Sequence, residues 1–264
     1  FIAVLTMTAG TVVVIWLSDL ITRSGLGNGS SLIIFIGIVS SLPSALINSF
    51  ESIRVGATSL FTFMIVICVI LFLIFFILLF EQAQRKILVQ YPKRQVGNKV
   101  FSSDSTYVPL KINTAGVIPP IFASALLSFP ASMVGFSGFN VKILDDLLYY
   151  FSQNSIFYYT IFTCLIIFFS FFYTSAVFNA KETAENLRKY NAYVPGKKPG
   201  NQTAEFFDYV LTRLTCLGSI YLAFVCVIPD LFISKYITSF SLGGTSLLII
   251  VNVILDTLSQ IQSH

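Results

Sequence analysis

The chain has little charge. Only 11% of its 264 residues are Asp, Glu, Lys or Arg, less than half the roughly 25% that a soluble domain carries. So few charges cannot cover a water-soluble globule of this size, and 55% hydrophobic residues with 15% aromatics exclude disorder. Histidine is nearly absent: the single His264 is the last residue, which removes a histidine-based metal centre and a Ser/His triad. Cys68, Cys164, Cys216 and Cys226 each lie in an apolar stretch with no CxxC pair. A disulfide scaffold is excluded, and the four read as buried small hydrophobes. The chain begins at Phe1 with no basic leader before an apolar core. No signal peptide is visible, and an upstream portion is expected to be missing.

What is present is a series of long runs almost free of charge. A bilayer-crossing helix needs about 20 largely apolar residues, and seven runs qualify: 2–18, 31–49, 57–80, 113–135, 154–178, 207–229 and 241–261. Helices are expected because backbone amides in lipid must bond within their own segment. A barrel would need short alternating strands, and none stands out. The fold class is therefore all-α, a polytopic helical membrane protein. Basic residues orient it. The loops after the first, third and fifth spans, with Arg213 at the same face, hold thirteen of the sixteen Lys and Arg residues; the opposite loops hold Arg54, Lys142 and Lys235. The positive-inside rule places the thirteen, and the C-terminus, in the cytoplasm.

Two cytoplasmic loops, 81–112 and 179–206, exceed what a connection needs. Both mix basic residues with tyrosine, proline and glycine, as in Tyr91-Pro-Lys-Arg94 and Tyr193-Val-Pro-Gly-Lys-Lys-Pro-Gly200. Within the second, Lys181–Lys189 reads as a short helix with Glu185 and Lys189 spaced i,i+4. Orientation and contact with anionic lipid, about 1 kcal/mol per basic residue near the surface, account for the charge. They do not account for the length or the turn chemistry, which point to docking of a soluble partner. A ribosome would meet the basic residues through phosphate; a protein would use paired charges and aromatics.

The fourth span is irregular, with Pro119-Pro120 near its start and Pro130 inside it. It is expected to be kinked or to begin late. Ionisable residues are missing from the span centres, and Asp256 is the one acid well inside a span. Three readings of it stay open: a cap, a partner for Arg213, or a solvent-facing group. The scarcity argues against an ion-coupled pump or symporter, which binds its coupling ion near the midplane. Gly135-Phe-Ser137-Gly138 has the GxSG spacing of intramembrane serine proteases, but no histidine within a span serves as base. The match is read as chance. The cluster Gly25-Leu-Gly27-Asn-Gly29 lacks the preceding strand and following Lys-Ser/Thr of a phosphate loop. It reads as a tight turn into the second span.

Several strings together carry a resemblance. Ser24-Gly-Leu-Gly-Asn-Gly29-Ser-Ser-Leu-Ile-Ile-Phe-Ile-Gly37, Ile38-Val-Ser-Ser-Leu-Pro43, Pro109-Leu-Lys-Ile-Asn-Thr-Ala-Gly-Val-Ile-Pro119, Phe171-Phe-Tyr-Thr174, Lys181-Glu-Thr-Ala-Glu-Asn-Leu187, Val194-Pro-Gly196 and Gly243-Gly-Thr-Ser-Leu-Leu-Ile249 resemble, in order and spacing, the bacterial SecY family of protein-conducting channels. The resemblance implies ten spanning helices in two halves that open sideways like a clamshell. This chain corresponds to the fourth to tenth: 1–56 as the end of the N-terminal half and 57–264 as the C-terminal half.

The resemblance also implies site residues. A mid-membrane ring that seals the empty pore falls on Ser30, Ile34, Ile121 and Ile249, with Ser30 where the family usually has isoleucine. A narrow apolar constriction excludes water and ions and deforms around a passing chain. The lateral gate falls on the fourth span, through Ile121 and Phe129, with the fifth beside it. Docking of the motor ATPase SecA and of the ribosome falls on Arg85, Lys86, Lys93, Arg94 and Lys99 in the first long loop. In the second it falls on Arg188, Lys189, Lys197 and Lys198. Lys198 stands where the family typically has arginine, keeping the charge but not the planar fork. The implied partners are SecE, SecG, SecA, the ribosome, secretory and membrane precursors, and anionic lipids, in the bacterial plasma membrane. No cofactor and no enzymatic activity are implied. The alternatives are a small-solute transporter, which needs a midplane polar site, and an accessory SecY paralogue with a narrow precursor range.

Overall fold

The computed structural model describes residues 2–25, 27–56, 59–91, 95–96, 99–100, 105–137, 156–236 and 243–263. Along the chain run α1 (Ile2–Arg23), α2 (Gly29–Arg54), α3 (Leu60–Gln82), β1 (Gln84–Gln90), β2 (Gln95–Val96), β3 (Lys99–Val100) and β4 (Ser105–Lys111). They are followed by α4 (Ile118–Ser137), α5 (Ile156–Val177), α6 (Ala180–Lys189), α7 (Asn201–Tyr236) and α8 (Gly244–Ser263). Among the described residues, six helices are long and apolar enough to cross a membrane. The seventh expected span is α4, a 20-residue helix with no charged residue. It begins at Ile118 rather than residue 113, so the buried Pro119 and Pro120 occupy its first turn, where no intrahelical donor is lost. The chain falls into two units, Phe1–Leu78 with Val225–His264, and Leu79–Phe224.

In the first unit the glycine cluster makes the expected turn. Asn28 caps α2, its side-chain oxygen accepting from the Ser30 amide, and the Gly29 amide donates to Thr22 Oγ1 at 2.9 Å. Any side chain at Gly29 would collide with the Ser18 carbonyl of α1, so glycine lets the two helices meet closely at this corner. None of the α1 residues is buried, as suits a helix whose surroundings are lipid or further helices. α2 runs unbroken through Pro43. The Ser40 and Ser41 hydroxyls just before it donate to the carbonyls of Gly37 and Ile38, at 2.8 and 2.7 Å. Val66 of α3 is buried against Ile38 and Leu42 of α2 and Ile70 of its own helix. At the other end of this unit, Asp230 Oδ1 accepts the Gly244 amide at 2.9 Å and caps the start of α8. The sequence reading ended the sixth span at residue 229; the helix continues through Pro229 to Tyr236.

The second unit holds an element that the sequence reading did not anticipate. The first long loop is a β-ribbon: β1 pairs antiparallel with β4 from Gln84↔Lys111 to Gln90↔Ser105, and β2 with β3. The membrane body is all-α, and the ribbon is an addition to it. Alternation is present in the burial, with Ile87 and Val89 inside and Lys86 outside. Leu88 occupies the intervening position, so the hydrophobic pattern reads as a run rather than a strand. Pro109 sits opposite Lys86 on an exposed edge position, where a missing amide is tolerated.

Helix α6 forms where the sequence places it. Asn179 caps it by accepting from the Glu182 amide, and its basic last turn carries Arg188 and Lys189, the favourable arrangement for the helix dipole. α4 packs along α5, with Ala123 and Leu127 buried on one helix, Phe162 and Ile166 on the other, and Phe122 stacked on Phe169 at 5.8 Å. One cysteine expectation needs correction. Cys226 is buried, but Cys68, Cys164 and Cys216 are exposed. They lie on outward faces of apolar helices, where a small thiol suits lipid as well as a core.

Candidate functional site

The two long loops do not stand apart. Ile87, Val89 and Leu110 of the ribbon, Ala192 and Val194 of the second loop, and Phe207, Val210, Leu211 and Leu214 of α7 form one buried cluster, with Phe207 fully enclosed. Leu187 of α6 and Phe178 pack against its margin. Burying side chains of this size contributes roughly 1.5–3 kcal/mol each in water, so the loops form a small domain-like core of their own. Its seam is closed by backbone hydrogen bonds. The Gln90 amide donates to the Tyr193 carbonyl at 2.9 Å and the Tyr193 amide to the Gln90 carbonyl at 3.0 Å. The Tyr193 hydroxyl also donates to Gln90 Oε1 at 3.2 Å.

This core presents cations on its outside. Arg85 and Lys86 are exposed on β1, Arg188 and Lys189 on α6, and Lys197 and Lys198 on the tip that follows. Two of the tip cations differ. Lys197 Nζ lies over the Phe206 ring, 5.8 Å from its centroid, a cation–π contact worth about 0.5–1 kcal/mol at an exposed site. The backbone of Lys198 is the fastened part: its carbonyl accepts from Thr203 Oγ1 at 2.9 Å and its amide donates to Gln202 Oε1 at 3.4 Å. Its side chain is exposed. Lys93 and Arg94 lie outside the described residues; Lys99 is described as part of β3 in its backbone only. Sequence reasoning missed Gln90, Tyr193 and Phe207. The one available signal was the Tyr-Val-Pro-Gly string, which marks a turn but names no partner.

The positions that the resemblance assigns to the pore divide between the units. Ser30 and Ile34 are exposed, one turn apart on α2, so they share a face. α2 packs on α8, where Ile249 is buried at 8% exposure. The Ser30 hydroxyl donates to Asn28 Oδ1 at 2.6 Å, so it belongs to the helix cap that its neighbour makes. Ile121 is half-buried in the opening turn of α4, and Phe129, 64% exposed, lies two turns further on. Ser137 ends α4, and Gly138, which completes the GxSG string, lies outside the described residues. His, Cys, Asp and Glu gather nowhere in groups of three among the described residues. Arg213 stacks its guanidinium over the Tyr209 ring at 4.2 Å, which holds its long side chain along the helix.

The SecY family model matches residues 1–258 of the chain. The protein translocase subunit SecY of Rickettsia bellii is 57% identical over 99% of this chain and 60% of its own length. That of Escherichia coli is 43% identical over the whole chain and 60% of its own length. The chain therefore spans about 60% of the curated relatives that it matches. A solved structure described as that of a protein-conducting channel superposes with a TM-score of 0.63 at 16% identity, covering 96% of this chain and 63% of its own. That likeness establishes the helical fold, and the sequence match establishes the family: the chain belongs to the SecY family.

Proposed function

We propose that the protein containing this chain is the central channel subunit of the Sec translocon. It passes unfolded secretory polypeptides across the bacterial plasma membrane and releases membrane segments sideways through a lateral gate. The observation that carries this reading is the 57% identity across 99% of the chain to a protein translocase subunit. A likeness that close extends over every span and both long loops. The small-solute transporter has no observation in its favour.

In this reading Ser30, Ile34, Ile121 and Ile249 line the constriction, and α4 with Ile121 and Phe129 is the moving gate helix. Residues 1–56 complete the N-terminal half and 57–264 form the C-terminal half. The joined loops face the cytoplasm, as does the C-terminus, and receive SecA and the ribosome. Arg85, Lys86, Lys93, Arg94, Lys99, Arg188, Lys189, Lys197 and Lys198 supply the charge. SecE and SecG complete the channel in the membrane, and anionic lipids border its basic face. The subunit supplies a path and a seal; free energy comes from the motor's ATP cycle, from translation or from the membrane potential. No bond is made or broken by its own residues.

The test is reconstitution. Full-length protein with SecE and SecG in vesicles, supplied with SecA, ATP and a radiolabelled precursor, is expected to carry the precursor into a protease-protected lumen. Protection that does not depend on this subunit would contradict the reading.

A further inference from the structure

The turn that leads from β4 into α4 rests on a polar seat with two contrasting halves. One half is fully bonded. Asn113 is 4% exposed, and its Nδ2 donates to Glu81 Oε1 at 2.7 Å and to the Gly116 carbonyl at 3.2 Å. Glu81, at the end of α3, is itself 7% exposed. The turn is pressed against α7, where a Cβ on Gly218 would come within 2.8 Å of the Ile112 carbonyl. Glycine at that position makes the close approach possible.

The other half is not bonded. Thr174 of α5 and Thr215 of α7 border the turn at Thr114 and Ala115, around a space too small for a water molecule. Both side chains are more than nine-tenths buried, and neither hydroxyl has a hydrogen-bond partner among the described residues. Threonine in a helix ordinarily turns its hydroxyl to a carbonyl one turn back. Thr163 on α5 and Thr212 on α7 do so, at 2.8 Å each. Two unsatisfied hydroxyls beside one turn are therefore a local departure from how buried polar groups are arranged. They face the one irregular segment that directly precedes α4.

We propose that this seat is the pivot of α4. The Glu81–Asn113 bond holds the turn in one position, and the unpaired hydroxyls of Thr174 and Thr215 favour a second position in which the turn's polar groups reach them. The two positions are then close in free energy, because each satisfies groups that the other leaves unpaired. Glu81, Asn113, Thr174 and Thr215 are positioning residues; none of them lines the conducted path. The proposal rests on the reading of the protein as a polypeptide channel with α4 as its gate.

The experiment uses the full-length channel, reconstituted with its partner subunits, carrying Thr174→Val and Thr215→Val singly and together. Valine keeps the shape and deletes the hydroxyl. The expected result is a higher thermal midpoint together with precursor export slowed at least threefold in the double variant, since the resting position is favoured. Glu81→Gln keeps an acceptor oxygen but removes the charge, and is expected to act in the opposite sense, raising export of a precursor with a weakened signal sequence. A raised midpoint with export at the wild-type rate would overturn the pivot and leave only a packing flaw. A lowered midpoint in the valine variants would overturn it as well, because the hydroxyls would then be bonded in the resting state. If Glu81→Gln does not fold, the valine variants decide alone. Absence of export by the wild-type channel would instead remove the channel reading beneath the proposal.

Discussion

Gln90 and Tyr193 lie 103 residues apart in sequence and exchange both backbone hydrogen bonds, at 2.9 and 3.0 Å. This pair turns two loops into one rigid surface. A flexible loop bearing cations would lose conformational entropy on every docking event; a loop already fastened by a bridge and a buried core has lost it on folding.

Gln90→Pro removes the amide that donates to Tyr193 and is expected to weaken binding of the motor ATPase at least tenfold. Membrane insertion should be unchanged. Gln90→Ala removes only the side-chain bond to the Tyr193 hydroxyl and is expected to bind within about twofold of wild type, well under the factor of ten that 1.4 kcal/mol represents. A binding titration of both variants in the full-length channel checks the difference.

The tip lysines are expected to separate in the same assay. Lys197 is engaged over Phe206, whereas Lys198 offers an exposed side chain on an anchored backbone. Lys198→Ala should therefore weaken docking more than Lys197→Ala, with the larger loss at low ionic strength where screening is least. Lys198→Arg should restore binding or improve it, because a guanidinium forks onto a carboxylate or phosphate. Equal losses for the two alanine variants would contradict the assignment.

Ser30→Ile is expected to lower ion leakage of the full-length channel several-fold at a holding voltage. A hydroxyl in an apolar constriction stabilises water there, and a branched aliphatic side chain excludes it. Ser30→Ala separates the two contributions of the residue: it removes the hydrogen bond to Asn28 without filling the constriction. Conductance recordings in planar bilayers check both. Unchanged leakage in Ser30→Ile would remove Ser30 from the seal.

Much of this architecture was legible in the sequence, and the rest was hidden for identifiable reasons. Charge-free runs located seven long helices, α4 among them, because lipid demands length and low charge, signals that are local and strong. The Glu185–Lys189 i,i+4 spacing announced the short helix α6, a signal that is equally local. The ribbon went unrecognised because Leu88 fills the outward position between Ile87 and Val89. Its pairing with residues 105–111 is long-range. Asp230 was passed over because Pro229 suggests a helix end, although the helix continues and the carboxylate caps the next one. Glu81 carried no motif, and the family string around Asn113 names no partner: a buried hydrogen bond across 32 residues leaves no trace in spacing.

Asp230→Ala is expected to lower the thermal midpoint of the full-length channel. Losing a helix cap costs about 1 kcal/mol, and the fall should be smaller than the roughly 2–4 °C that such a loss costs a domain of about 150–250 residues. Asp230→Asn keeps the acceptor oxygen for the Gly244 amide and should recover most of that loss in a thermal melt.

The most direct measurement of the central claim is a crosslink at Ile121. In the full-length protein with native cysteines replaced, a single cysteine at Ile121 is tested for disulfide formation with a cysteine in a precursor arrested halfway through export. A cysteine at the exposed Phe172 of α5, outside the assigned ring, serves as the control. A strong crosslink at Ile121, dependent on the precursor and absent at Phe172, is the predicted result and puts a moving polypeptide against the constriction. No crosslink at Ile121, with the channel folded and the precursor arrested, would contradict the account.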